Sequence, residues 1–519
     1  MWQKYFPYDS PRKSQTTAID FSISAFTNNK FVCLELPTGI GKSGIAITLA
    51  KYFRNSYILT TQKILQAQYI KDFSEIPNIW SISNYKCTTR PNISCEVGKS
   101  LNNLLKSVAP CKCKYDTDKK LFTDSPVSLT NVPFFLYSSM ASDLAKRKLL
   151  IIDEAHNLDS IVTEFVSLKI LRGDLEEANI GWLKQKRDIF SVKQWIINSI
   201  LPSYIKLLEY KKITLNDYIK KYGDEISSKP EIKTLVKQID YYEKMVINIQ
   251  QFNTNSDKLN EWVLTISNSD DEVIFRPLFS NRYSNESLYK YADKVLFMSG
   301  TILDKKTFCN NNGIDESQCA FLSLDSEFDK NNRPIFTAGV ASLSYKNIDK
   351  SLPIVTHAID EIINDPQHKD VKGIIHSGSF KILKYIKDNI KNDRLLFHTS
   401  EDNNKIDIYK KHMLSDEPTI LVSPGMNEGV DLVDDLSRFQ IIVKIPYPYL
   451  GDNYIKTKME KIQNWYSWTT AKTLMQSCGR SIRNEDDWSI TYILDSDWNY
   501  FYHKNKSMFP KWFLESIIK

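Results

Sequence analysis

The sequence predicts an α/β protein of two lobes, each a parallel sheet with helices on both faces, the first lobe interrupted twice. Three observations predict it. Short apolar runs rich in β-branched residues recur at 31–36, 57–59, 149–152, 295–298, 373–375, 420–422, 441–443 and 490–494, separated by stretches long enough for helices. Strands buried on both faces alternate with crossover helices in this way. The rhythm breaks over 81–120, which is polar and cysteine-bearing, and again over 159–268, which reads as helical. The length of 519 residues also exceeds what one hydrophobic core organises.

Within the second break, Ile232, Leu235, Val236, Ile239, Tyr242, Val246 and Ile249 keep a 3.6-residue spacing after Pro230, which predicts a helix starting near that proline. From Arg333 onward the second lobe runs without interruption. There is no internal repeat and no low-complexity segment.

Composition bounds the setting. Hydrophobic residues make up 42% and charged residues 25%, a globular balance. No apolar run approaches the ~20 residues of a membrane span. The start, Met1-Trp2-Gln3-Lys4-Tyr5-Phe6-Pro7-Tyr8, lacks the charged-then-apolar layout of a secretory signal, so a cytoplasmic protein is expected. The net charge of +6 mixes 68 basic with 62 acidic residues. That permits a nucleic-acid partner without arguing for one.

The first chemical signal is Glu35-Leu36-Pro37-Thr38-Gly39-Ile40-Gly41-Lys42-Ser43-Gly44, between an apolar strand and a helical run. This strand, loop and helix order is what a phosphate-binding loop requires. Gly39 and Gly41 let backbone amides turn inward at the positive end of a helix. Lys42 is placed to reach the β- and γ-phosphates, and Ser43 to ligate Mg²⁺. The strict motif has glycine six residues before the lysine, where this chain has Leu36.

The second signal is Leu149-Leu150-Ile151-Ile152-Asp153-Glu154-Ala155-His156. A buried-type strand delivers two carboxylates at its C-terminal end, where ligands gather in open α/β sheets. Asp153 is the candidate for Mg²⁺ and Glu154 for orienting and deprotonating the attacking water. Elsewhere an Asp-Glu pair is usually a solvated turn; the strand before it and the phosphate loop upstream argue otherwise. A third signal lies in Gln476-Ser477-Cys478-Gly479-Arg480-Ser481-Ile482-Arg483. On a helix Arg480 and Arg483 share a face and are candidates to neutralise γ-phosphate charge in the transition state, although two such arginines alone are more often a surface face.

Together these residues resemble superfamily 2 helicases, and more narrowly the XPD/DinG family, from Phe6 to about Asp495 and in family order. Phe6-Pro7-Tyr8 with Arg12 and Gln15 resembles the adenine-reading Q motif. The segment from Glu35 to Ser43 resembles the family's phosphate loop, in which an apolar residue also stands where Leu36 does, and Asp153 to His156 its DEAH box. Leu59-Thr60-Thr61-Gln62 resembles motif Ia, which grips the DNA backbone. Asn84-Tyr85-Lys86-Cys87 resembles the entry to an iron–sulfur domain, and Leu129-Thr130-Asn131 a DNA-facing segment. Ser299-Gly300-Thr301 resembles motif III, which with His156 couples the two sites. Gly425 and Glu428-Gly429-Val430-Asp431 resemble motif V, placing Gly429 and Asp431 at the nucleotide; Gln476 to Arg483 resembles motif VI. The chain departs from the family in having Asp497 where an arginine often follows the last strand, and it carries no recognisable nuclease domain.

The resemblance implies two RecA-like lobes, a small iron–sulfur domain and a helical arch inserted in the first. Lobe 1 would then comprise 1–80, 121–158 and 269–332, the cluster domain 81–120, the arch 159–268 and lobe 2 333–519. Four of the eight cysteines, Cys87, Cys95, Cys111 and Cys113, fall in the cluster segment. By chemistry four thiolates suit a [4Fe–4S] cluster or a Cys₄ zinc site equally; the resemblance favours the cluster. Cys33, Cys309, Cys319 and Cys478 are taken as packing residues. Around the cluster, Lys86, Arg90, Lys99, Lys112 and Lys114 with Tyr85 and Tyr115 offer cations and aromatic faces for single strands, or a merely solvated loop.

The implied activity is ATP-driven translocation on single-stranded DNA, 5′ to 3′, with unwinding of DNA forks by a monomeric motor in repair, replication or recombination. Its cofactors would be ATP, Mg²⁺ and the cluster. Two alternatives stand beside it: an ATPase, on DNA or RNA, that remodels protein–nucleic acid complexes without processive unwinding, and a scaffold that recruits partners through the arch. Intact Lys42, Glu154 and Arg480 argue against the scaffold.

Overall fold

The computed structural model describes residues 2–90, 92–105, 113–140, 144–183, 187–222, 230–398, 405–425, 434–478 and 487–518. The first lobe opens with β1 (Phe31–Glu35), β2 (Ser56–Thr60), β3 (Val127–Asn131) and β4 (Arg147–Asp153). After a long excursion containing β5 (Leu168–Leu171), β6 (Trp262–Ile266) and β7 (Glu272–Pro277), it closes with β8 (Ala292–Ser299) and β9 (Cys319–Ser323). The lobe 1 sheet is parallel throughout, in the order β3-β2-β4-β8-β1-β9.

Strand periodicity explains why both faces are covered. Phe31, Cys33, Tyr57, Leu59, Leu150, Ile152, Val295 and Phe297 enter one core, while Val32, Leu34, Ile58, Leu149, Ile151, Leu296 and Met298 enter another. Successive side chains point to opposite faces, so an uninterrupted apolar run fills two layers at once. The register brings Thr60 opposite Asn131 and Asp153, and Glu35 opposite Ser299. The chemistry-bearing residues therefore share the carboxyl edge of one sheet.

Lobe 2 contains β10 (Ile335–Ala341), β11 (Gly373–His376), β12 (Leu395–Phe397), β13 (Ile420–Ser423), β14 (Phe439–Ile442), β15 (Ile490–Asp495) and β16 (Ile517–Ile518). These are parallel in the order β12-β13-β11-β14-β15-β10-β16. The lobes pack together rather than merely sharing a linker. Trp468, Ala471, Leu474 and Met475 of the helix Trp465–Cys478 continue the first core of lobe 1, and the Trp468 indole donates to the Ile302 carbonyl at 2.9 Å.

The excursions differ in part from expectation. The first contains the helices Cys95–Leu105 and Lys114–Asp124. The second contains the long helices Leu201–Tyr222 and Pro230–Asn255, the latter starting at the expected proline; Met245 takes the buried place expected of Val246. It is not wholly helical. β5, β7 and β6 form an antiparallel sheet in that order, so the 268/269 boundary falls between two paired strands. β6 is Trp-Val-Leu-Thr-Ile, a strand-type run, but its partner β7 lies beyond the helical stretch and no local periodicity announces it. The two excursions also share a core, where Cys87, Ile93, Val97 and Leu101 meet Leu215, Ile232, Leu235, Val236 and Ile239. Among the described residues no helix is long and apolar enough to cross a membrane.

Candidate active site

The phosphate loop runs from the end of β1 to the helix Lys42–Phe53. Gly39 and Gly41 both have φ of 82°, a region that L side chains rarely adopt. At Gly41 a second constraint acts, since an added Cβ would lie 2.5 Å from the Gln15 amide nitrogen. Gln15 Oε1 accepts from the Arg12 backbone at 2.9 Å, and the Arg12 guanidinium donates to the Gly39 carbonyl at 2.8 Å. Tyr8 packs over Gly44, leaving 3.0 Å to a Cβ there. Tyr8, Arg12 and Gln15 thus flank the loop that Pro37, Thr38, Gly39 and Gly41 build.

At the end of β4, Asp153 is buried and Glu154 turns into the left-handed region at φ 51°, ψ 46°. For a non-glycine residue that costs on the order of 1–2 kcal/mol and is found where the surroundings enforce it. Lys42 Nζ lies 3.4 Å from Glu154 Oε1, and His156 Nδ1 lies 3.1 Å from Oε2. Burial pushes the Glu154 carboxyl up, but Lys42 and His156 outweigh it and hold it well below the usual carboxylate range. Asp153 moves the other way, to about 6, through burial and the neighbouring Glu154 charge. The two adjacent acids are thereby made unequal, with Glu154 the one held ionised while Lys42 lies beside it.

His156 Nδ1 also meets Ser299 Oγ at 2.7 Å. Ser299 Oγ accepts from the Thr301 amide at 3.0 Å, and the Ser299 carbonyl accepts from the Leu36 amide at 2.8 Å. The Gln476 side chain of lobe 2 then reaches Thr301 Oγ1 at 3.5 Å. A continuous polar path therefore joins Lys42, Glu154, His156, Ser299, Thr301 and Gln476 across the lobes. Cys478, at the end of the same helix, lines a cavity of about 40 Å³ with Pro37 and Thr38. Arg480, Arg483, Gly429 and Asp431 lie outside the described residues.

The donors present fit Mg²⁺. Asp153 Oδ2 and the Ser43 hydroxyl both neighbour the Tyr69 phenol, giving hard oxygen ligands of the kind this ion shares with phosphate and water. Tyr69 was not legible as a site residue. Nor were Lys472, whose buried ammonium donates to the His156 carbonyl at 3.1 Å, and Glu35. Glu35 accepts from the Leu303 amide at 2.6 Å and from Ser323 at 2.8 Å, while burial lifts its carboxyl to about 7.

The cysteine segment converges as well. Cys87, Cys95 and Cys113 are buried, Cys95 and Cys113 sulfurs are 3.5 Å apart, and Gly98 leaves room for the Cys87 sulfur that a Cβ would fill. Burial and the Cys113 thiol push the Cys95 thiol up to about 12. The Cys95 and Cys113 pair could supply two thiolates to a bound group; Cys111 lies outside the described residues, and among the described ones no group of three or more potential metal ligands occurs. Of the packing cysteines, Cys33 and Cys319 meet at 3.4 Å in the lobe 1 core, with Cys309 beside them.

The expected DNA contacts are placed less openly. Thr60, Thr130 and Asn131 are buried; Thr130 donates to the Ile79 carbonyl and Asn131 to Gln66. Thr61 and Gln62 stand at the start of the helix Lys63–Asp72, partly exposed. The Tyr85 ring packs against Cys95, Cys113 and Tyr115 and turns no open face to solvent.

Comparison with known proteins finds helicases. Residues 369–516 match the model of a helicase C-terminal domain, and residues 9–171 that of the type III restriction enzyme res subunit. A protein of Methanocaldococcus jannaschii named "Probable ATP-dependent helicase" is 25% identical over 95% of this chain and 93% of its own length. The ATP-dependent DNA helicase CHL1 of Vanderwaltozyma polyspora is 22% identical over 78% of this chain, which spans 58% of that protein. The ATP-dependent DNA helicase DinG of Photobacterium profundum is 26% identical over 46% of this chain. Among solved structures, one titled XPD helicase superposes with a TM-score of 0.67 at 16% identity, covering 96% of this chain and 99% of that one. That of S. tokodaii Xpd4 does so with 0.60 at 13%, covering 98% and 99%. The likeness to these two structures establishes a shared fold.

Proposed function

We propose, for a chain that is an XPD/DinG-like superfamily 2 helicase, that it hydrolyses ATP between its two lobes to move along single-stranded DNA and unwind duplexes in genome maintenance. The polar path from Lys42 through Glu154, His156, Ser299 and Thr301 to Gln476 carries this reading, because it ties the hydrolytic residues directly to the second lobe. Lys42 lies 3.4 Å from Glu154. Bound triphosphate would draw Lys42 away, leaving Glu154, still oriented by His156, to accept a proton from water. Ser43 and Asp153 would hold Mg²⁺, which supplies charge neutralisation at the phosphates. Arg480 and Arg483 would arrive from lobe 2 against γ-phosphate charge.

Cys87, Cys95, Cys111 and Cys113 would hold the [4Fe–4S] cluster, with zinc as the competing occupant; the cluster would brace the excursion against the arch helices packed on it. Thr61 and Gln62, beside the buried Thr60, would grip the DNA backbone. Movement 5′ to 3′ follows from the family resemblance.

The test is strand displacement on matched duplexes with a 5′ or a 3′ single-stranded tail, with ATP under anaerobic conditions and Lys42→Ala as control. Unwinding of only the 5′-tailed duplex, lost in the variant, is the expected result. DNA-stimulated hydrolysis without unwinding of either duplex would replace the helicase by a remodelling ATPase.

A further inference from the structure

The helix Lys63–Asp72 starts at the motif Ia residues Thr61 and Gln62 and ends beneath the nucleotide site, and its buried face carries two polar side chains. Gln66 and Tyr69 are three apart, hence on one side of the helix. Gln66 accepts from Asn131 at 2.7 Å and donates to the Ile79 carbonyl at 3.0 Å. Tyr69 is 1% exposed and donates its phenolic proton to Asp153 Oδ2 at 2.8 Å, with the Ser43 hydroxyl as its other neighbour.

Asp153 Oδ1 accepts from the Glu154 amide at 2.9 Å, so the phenol is what sets the second oxygen. A carboxylate held at both oxygens cannot rotate about its last bond, and a metal ligand needs that restraint. Gln66 binds the helix to the end of β3, the expected DNA-facing strand. A shift of the helix start on gripping a strand would move the phenol relative to Asp153, against the restraint of the Gln66 contacts.

From this geometry we infer that Tyr69 is a positioning residue that couples the motif Ia contact with DNA to the Mg²⁺ ligand set. It acts through Asp153 and touches no substrate. The inference rests on the ATPase reading above and names the part of lobe 1 that lets DNA accelerate hydrolysis.

The experiment is Mg²⁺-dependent binding of a fluorescent ATP analogue, with ATP hydrolysis measured beside it, by the full chain with and without single-stranded DNA, titrated with Mg²⁺ and then Mn²⁺, for wild type, Tyr69→Phe and Phe73→Leu. Phe73 lies on the same segment, its ring 6.0 Å from that of Tyr69, and does not reach the carboxylate. Loss of a buried hydrogen bond to a charged group predicts a roughly 10-fold higher Mg²⁺ half-saturation for Tyr69→Phe. The stimulation by DNA should fall with it, and Mn²⁺ should restore part of the rate. Phe73→Leu should keep the wild-type Mg²⁺ midpoint. A wild-type midpoint and DNA stimulation in Tyr69→Phe, or the same shift in Phe73→Leu, would overturn the coupling role. A wild-type chain that hydrolyses no ATP would instead sink the ATPase reading, and this inference with it.

Discussion

The ammonium of Lys458 in lobe 2 lies 2.9 Å from Oδ2 of Asp159, the first residue expected in the arch but on a helix packed into the lobe 1 core, and the side chains are only 3% and 10% exposed. Asp159 sits just beyond the DEAH box on the helix Leu158–Val166, and Ser280 donates to its other oxygen. The Trp465 ring lies 4.9 Å from the same ammonium. Burial alone would push the Asp159 carboxyl up, but Lys458 outweighs it and holds it below its ordinary value. The pair thus joins the two lobes beside the candidate active site.

Breaking that pair from one side should be costly. Lys458→Met leaves a buried carboxylate uncompensated, which typically costs about 3–5 kcal/mol. Lys458→Met combined with Asp159→Asn should recover most of the loss. Urea unfolding of the three proteins checks this, and equal losses in single and double variants would contradict it. Because the Asp159 pKa is depressed on folding, the pair's contribution is present above the ordinary aspartate value and lost as pH falls through the folded one.

Glu35 predicts the opposite dependence. Its folded pKa of about 7 lies above the ordinary 4.5, so the folded state binds the proton more tightly between those values. The resulting stability is fully present below 4.5 and lost as pH rises through 7, about 3 kcal/mol across the window. Glu35→Gln should therefore be more stable than wild type at pH 8 and lose that advantage at pH 5. Parallel pH profiles of unfolding midpoints for the two would refute the buried-acid account.

Glu154→Gln should leave nucleotide binding intact while lowering turnover about 10²- to 10⁴-fold, the usual contribution of a general base. Fluorescent-nucleotide binding and phosphate release measured on the same sample separate the two. A variant that keeps its turnover would move the base elsewhere.

Cys95→Ser tests the thiol cluster. Anaerobically purified wild type should carry about four irons per chain and a broad visible absorbance, both lost in the variant. One zinc per chain and no iron would assign the site to zinc. Because Cys87 packs into the core shared with the helices Leu201–Tyr222 and Pro230–Asn255, loss of a group bound by both cysteines should also lower the cooperativity of unfolding there, readable by hydrogen exchange.

The phosphate loop and the DEAH box were legible because each is a local event. A strand buried on both faces reads as an apolar run, and the turn after β1 needs glycines where φ is positive, as Gly39 and Gly41 have. The start of the helix Pro230–Asn255 was legible for the same reason. The sheet β5-β7-β6 was not, since β5 joins the hairpin of β6 and β7 only across an excursion of helices. Tyr85, expected with its neighbouring cations to offer a face to single strands or to lie in a solvated loop, is buried against the cysteines.

By itself the sequence determined the two-lobed α/β class, the phosphate loop, the paired carboxylates and the order of the motifs, because each is written in contiguous residues whose backbone geometry is local. Tertiary structure alone decided that Tyr69 meets Asp153, that Lys458 neutralises Asp159, that Lys472 caps the His156 carbonyl and that Cys33 meets Cys319. These partners lie tens to hundreds of residues apart, and each looks ordinary in its own helix or strand. Only packing brings them within hydrogen-bonding reach in a dry interior, where a single polar contact decides charge and orientation.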